Sequence, residues 1–150
     1  MPDGIDDIDI KILEILQQNA TESKANIARQ IGLAASAVHT RIRQLEDSGV
    51  IEGYRLQVNL AALGYPLLVF VFVTEIKPAS AGKTLTALVQ LELAEEIHRI
   101  SGEDCYLLKI RARDTDDLRQ KLDQIGSVNT VGGVRTHLVL QAAAENKIYR

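Results

Sequence analysis

Tryptophan is absent from this chain and aromatic residues make up only 4% of it, so any core it builds is aliphatic. Cysteine occurs once, at Cys105. A lone thiol closes no internal disulfide, which fits a reducing compartment. No apolar run approaches the ~20 residues that a membrane helix needs; the most apolar stretch is PLLVFVFV, residues 66–73. The opening MPDGIDDIDI is acidic and lacks a basic segment followed by an apolar one, so no secretory signal is expected. These absences point to a soluble cytoplasmic protein with no membrane partner. The three histidines, His39, His98 and His137, stand in separate segments without metal-ligand spacing. No nucleophile–base–acid grouping and no glycine-rich phosphate loop is visible, NTVGGV (129–134) reading as a bend between helix and strand. The expectation is a protein that is not an enzyme and holds no metal or cofactor.

What is present belongs to a globular chain: 150 residues, 46% of them hydrophobic and 25% charged, enough for one ordinary domain or two small ones. The net charge is −3, and residues 1–55 are themselves −3, with six basic residues against nine acidic. A nucleic-acid partner must therefore be argued from where the cations sit, not from their number.

Hydrophobic period changes near residue 60. Before it, apolar residues recur at helical spacing. A first helix is expected from Asp6 to Gln18, with Ile8, Ile12, Ile15 and Leu16 on one stripe and Asp6, Asp7 and Asp9 in its first turn, where the helix dipole favours anions. A second begins at Ser23, a good N-cap, turns Ile27, Ala28 and Ile31 inward and stops at Gly32. The third is AASAVHTRIRQLEDSGVI (34–51), with Ala35, Val38, Ile42 and Leu45 as its buried stripe and Gly49 as its end. VIEGYRLQV (50–58) reads as a short β-ribbon turning at Glu52–Gly53.

At roughly 100° per residue, the third helix puts Ser36, His39, Thr40, Arg43 and Gln44 on the face away from Val38, with Arg41 at the margin. That face is polar and locally basic, and its residues cluster in the part of a helix that reads base edges in the major groove. A solvated face with an Arg43–Asp47 pair is the plainer alternative, but such a pair is worth only ~0.3–0.5 kcal/mol and would not call for Arg, His, Thr and Gln together. Two compact helices before it and a ribbon after it make a winged helix-turn-helix, and double-stranded DNA the expected partner. Ser36, His39, Thr40, Arg41, Arg43 and Gln44 are the candidate DNA contacts.

After AALGYPL (61–67), whose Gly and Pro mark a boundary, strands and helices alternate. LLVFVFVTEI (67–76), EEIHRIS (95–101), CYLLKIRA (105–112) and VRTHLVLQ (134–141) read as strands, and residues 79–91 and 115–125 as helices. The order βαββαβ predicts an α+β sandwich of ferredoxin-like type. The domains are then 1–54 (winged helix-turn-helix), 55–66 (linker) and 67–150 (ferredoxin-like). Leu68, Phe70 and Phe72 alternate with Leu67, Val69, Val71 and Val73, so the first strand is apolar on both sides. Two helices cover one face of such a sheet, and a second copy is the simplest cover for the other: a homodimer. Between two strands, SGEDC (101–105) combines a Gly102 turn, able to present N–H groups to a carboxylate, with Glu103 and Asp104, suited to an ammonium. By themselves these residues also describe a commonplace hairpin.

DDIDIKILEILQQNA (6–20), SKANIARQIGLAASAVHTRIRQLEDSGVIEGY (23–54) and SGEDCYLLKIR (101–111) resemble the Lrp/AsnC family, the feast/famine transcription regulators, over nearly the whole chain. The resemblance implies an N-terminal winged helix-turn-helix, a C-terminal effector-sensing module and dimers assembling into larger rings, often octamers. It implies a small-molecule effector, typically an amino acid, bound where dimers meet. Carried over by position, the effector-binding candidates are Ser101, Gly102, Glu103, Asp104, Cys105, Tyr106 and Asp114, with Thr136, His137 and Leu138 from a neighbouring subunit. Two departures stand out. The recognition helix starts at Ala34 where the family usually has a capping Ser, a loss of ~1 kcal/mol unless compensated, and Cys105 stands where the family often has a second acid. Siroheme decarboxylases are similar in architecture yet are enzymes, and a regulatory subunit that binds an amino acid without DNA is a further alternative. The polar face of the third helix favours the DNA-binding reading over both.

Overall fold

A computed structural model describes residues 4–76 and 81–142. The chain divides between Gln57 and Val58 into two units, each with its own aliphatic cluster.

In the first unit, helix α1 (Asp7–Gln18) starts from a reciprocal capping box. The Asp6 carboxylate accepts the N–H groups of Ile8 and Asp9, and Asp9 takes the N–H of Asp6. Helix α2 (Lys24–Ile31) is capped by Ser23, which accepts the Asn26 N–H, and ends on Gly32 in the left-handed conformation (φ 73°), where an L side chain would be strained. Helix α3 (Ala35–Asp47) begins at Ala34 with no side-chain cap. Ile12, Leu16, Ile27, Ala28, Val38 and Ile42 form the buried cluster, with Ile8, Ile15, Ile31, Leu33 and Ile51 packed against it. Burying each large aliphatic contributes roughly 1.5–3 kcal/mol relative to exposure. Ala35 was expected in this stripe but is exposed; as the first residue of α3 it precedes the turn that reaches the core.

The expected β-ribbon over 50–58 does not form, and no strand is assigned to those residues. Ile51 is spent elsewhere: its N–H closes the end of α3 on the Leu45 carbonyl at 2.9 Å, and its side chain joins the helical core. Too little chain then precedes Glu52–Gly53 to make a first strand. Residues 52–59 carry no regular structure, and Tyr54 returns to α3 through a bond from its hydroxyl to Glu46.

The second unit contains β1 (Leu67–Glu75), α4 (Ala81–Gln90), β2 (Ala94–Arg99), β3 (Tyr106–Ala112), α5 (Thr115–Gly126) and β4 (Val131–Leu138). The expected helix start at residue 79 lies outside the described residues. The strands run β2-β3-β1-β4, every neighbouring pair antiparallel, the order of a split βαβ sandwich. Val69, Val71 and Val73 share one face with Tyr106, Leu108 and Ile110, and bury against Leu88 of α4 and Ile125 of α5. Both helices therefore cover the same side.

The open side is less uniformly apolar than the alternation in β1 suggests. Phe70, Phe72 and Leu107 are half-buried there. Register places Lys109 and His137 on either side of Phe70, and Leu107 and Arg135 on either side of Phe72. Lys109 pairs with Glu95 and Glu96, and Arg111 with Glu95. An apolar centre is thus bordered by ion pairs, the pattern of core and rim found in protein interfaces.

Candidate DNA-reading helix and effector loop

Ser36, His39, Thr40, Arg43 and Gln44 are all exposed on α3, as the helical wheel requires once Val38, Ile42 and Leu45 are buried. Arg43 lies 4.0 Å from Asp47, both largely solvated, so that pair is weak and leaves the guanidinium available. Lys24, at the start of α2, brings its Nζ within 2.6 Å of His39 Nδ1. A cation fifteen positions earlier therefore joins this face, which only the docking of α2 on α3 reveals.

Arg41 behaves differently. Its Nη1 donates to Asp9 Oδ1 at 2.8 Å and lies 2.9 Å from Asp6 Oδ2. Asp9 is buried, and the Arg41 side chain is only 29% exposed. The Asp9 N–H first, and the Arg41 guanidinium with it, hold the Asp6 carboxyl below the usual carboxylate value. The two carboxylates, Asp9 foremost, hold the guanidinium proton more tightly than usual.

In the second unit the loop 101–105 turns at Gly102 (φ 120°) and is fastened by the Cys105 N–H to Val73 and by Ile100 to Cys105. Asp104 pairs with Arg135 of β4. The Arg135 guanidinium lies over the Phe72 ring, 5.4 Å from its centre, and Phe72 meets His137 edge to face at 5.3 Å. Asp104, Arg135, Phe72 and His137 thus form one continuous patch on the open side. Arg135 and Phe72 were not among the effector candidates expected from sequence; the alternation that puts Arg135 on the same side as His137 was the available signal.

The other effector candidates lie apart from that patch within one chain. Tyr106 is fully buried toward the helices, its hydroxyl donating to Glu75 at 3.1 Å, and burial pushes its pKa up. Asp114 caps α5 by accepting the Asp117 N–H, just beyond the far end of β3 from the loop. Thr136 and Leu138 alternate with Arg135 and His137 and so point to the other side of β4. Ser101, Gly102 and Glu103 are exposed, and Cys105 is half-buried against the core. Among the described residues no group of three or more His, Cys, Asp or Glu is arranged to hold a metal ion, and no helix is long and apolar enough to cross a membrane.

Residues 68–149 match the family model of the Lrp/AsnC ligand binding domain, and residues 5–52 a winged helix-turn-helix DNA-binding model. The chain belongs to the Lrp/AsnC family. It is a transcription regulator of that family, with a DNA-binding unit followed by a ligand-binding unit. Among its relatives is the HTH-type transcriptional regulator FL11 of Pyrococcus furiosus, 36% identical over 141 residues, a span that covers 94% of this chain and 93% of the relative. The structure of Escherichia coli AsnC superposes with a TM-score of 0.87 at 27% identity, covering 96% of this chain and 97% of that one. A feast or famine regulatory protein of Mycobacterium tuberculosis, complexed with L-methionine, superposes at 0.85 with 28% identity, covering 96% and 97%. In this Lrp/AsnC chain the first helix of the family pattern supplies both carboxylates that hold Arg41, and the SGEDC loop supplies the partner of Arg135.

Proposed function

We propose that this Lrp/AsnC regulator acts in the cytoplasm as a homodimer, binding double-stranded DNA through the outward face of α3, and that an amino acid at the Asp104–Arg135 patch tunes the binding or the assembly. The observation that carries the DNA reading is the joint exposure of Ser36, His39, Thr40, Arg43 and Gln44 on one helix face, with Lys24 beside them. Hydroxyl, amide and guanidinium groups at that spacing match the donors and acceptors of the major groove. One copy offers few cations in an acidic chain, so its affinity is weak and falls steeply with salt. Two copies related by a twofold axis address two half-sites about one helical turn apart and combine their binding free energies.

The apolar centre of the open sheet face, Phe70, Phe72 and Leu107, supports pairing through that face, and family resemblance extends the assembly to an octamer. For the effector, Asp104 complements an ammonium and Arg135 a carboxylate; a zwitterion seated there replaces their mutual pair with two pairs of its own. The methionine complex of the M. tuberculosis neighbour favours the same ligand class.

The test is repeated selection of double-stranded fragments from a random-sequence pool by the purified protein. The expected outcome is an enriched sequence with two inverted half-sites. A pool that emerges unenriched contradicts the DNA reading.

A further inference from the structure

Arg41 stands apart from the other basic groups of α3, His39 and Arg43, which are exposed. Its guanidinium reaches the two acids that open α1, and all four oxygens of those acids are occupied. Asp6 Oδ1 takes the Ile8 and Asp9 N–H groups, both at 2.9 Å. Asp6 Oδ2 and Asp9 Oδ1 face Arg41, and Asp9 Oδ2 takes the Asp6 N–H at 3.1 Å. The circuit is closed and directional, whereas the core that α1 and α3 share is a cluster of aliphatic side chains, whose packing alone tolerates a small roll.

We infer that Arg41 is a positioning residue: the Asp6–Arg41–Asp9 clamp fixes the rotation of α3 against α1 and so sets where Ser36, His39, Thr40, Arg43 and Gln44 stand relative to DNA. The inference rests on the DNA reading above. Geometry makes the sensitivity plain. A helix with side chains has a radius of about 5–6 Å, so a roll of about 10° moves an outward tip by about 1 Å, enough to part a hydrogen bond made at about 2.7–3.2 Å. Arginine suits the place because the planar guanidinium fixes the directions of the two N–H groups on Nη1, the nitrogen that faces both acceptors. Buried Asp9 would lose its partner if Arg41 were removed.

The test is a double-variant cycle, read by retardation of the enriched fragment, with circular dichroism confirming that each protein is folded. Arg41→Gln and Asp9→Asn each weaken binding ~10-fold, and the double variant lies within about twofold of either single one, because both break the same clamp. The slope of log affinity against log salt stays that of the wild type, and Arg41→Lys, which keeps the charge but not the planar geometry, still binds several-fold more weakly. If Arg41 instead touches DNA, Asp9→Asn frees a cation and removes a negative charge, so it binds as tightly as wild type or more tightly. The losses then add, or Arg41→Gln lowers the salt slope by ~0.9 for each phosphate it no longer neutralises; each of these results overturns the clamp. Should Arg41→Gln or Asp9→Asn melt below the assay temperature, Arg41→Lys and Asp6→Asn carry the same comparison. A wild type that fails to retain any fragment overturns the DNA reading itself, and is distinguishable from a wild type that binds beside a tight Asp9→Asn.

Discussion

Charge in this chain is arranged by partner, and neighbouring arginines of one helix serve opposite ends. Arg43 is solvated, its nearest acid 4.0 Å away, while Arg41 is spent on Asp6 and Asp9. The helical wheel separated the two only as face and margin, because the acids lie 32 and more positions earlier and no local spacing links them. Lys24 escaped notice for the same reason. The SGEDC loop was legible as an acidic turn, yet the partner of Asp104 is Arg135, at a position reached only through the pairing of β1 with β4. That pair carries a prediction at this scale. In a thermal-shift screen of the twenty amino acids, a ligand at 100 times its dissociation constant stabilises by ~2.7 kcal/mol. Asp104→Asn or Arg135→Ala abolishes that shift, each variant being compared with its own ligand-free melting, since the Asp104 side chain is only 13% exposed and its pair with Arg135 also contributes to the folded state. A shift of undiminished size in both variants removes these residues from the effector site.

Elements were read more completely than residues. The helical stripes of α1 and α2, their caps at Asp6 and Ser23 and the stop at Gly32 come from local rules that need no tertiary knowledge. So does the βαββαβ order, because period-two and period-3.6 patterns alternate cleanly after residue 66. The ribbon was misread because Val50 and Ile51 look strand-like locally, whereas the helical core claims Ile51. The start of α3 is the other local irregularity: Ala34 provides no side-chain acceptor. Ala34→Ser supplies one, so the first unit gains ~1 kcal/mol of stability, measurable as a higher midpoint in denaturant unfolding. An unchanged midpoint would show that the first turn of α3 is already satisfied by other means.

At the scale of the whole molecule, an acidic chain that binds DNA needs local cations and more than one copy. The fold meets the first need on α3 and offers a surface for the second on the open sheet. Sequence alternation in β1 announced that an uncovered face exists, but not its border of Glu95, Glu96, Lys109 and Arg111, whose grouping depends on strand register. The measurement that tests the account most directly compares wild type and Arg43→Ala on the enriched fragment, on the same fragment with one half-site scrambled, and on unrelated DNA. A bidentate bond to a base edge is worth about 1–3 kcal/mol per site, so with two half-sites Arg43→Ala binds the enriched fragment at least ~30-fold more weakly while its affinity for unrelated DNA changes little. Scrambling one half-site brings wild type to an affinity between those for the intact fragment and for unrelated DNA. Equal affinity of Arg43→Ala and wild type for the intact fragment, with indifference to the scrambled half-site, would contradict both the reading helix and the paired subunits.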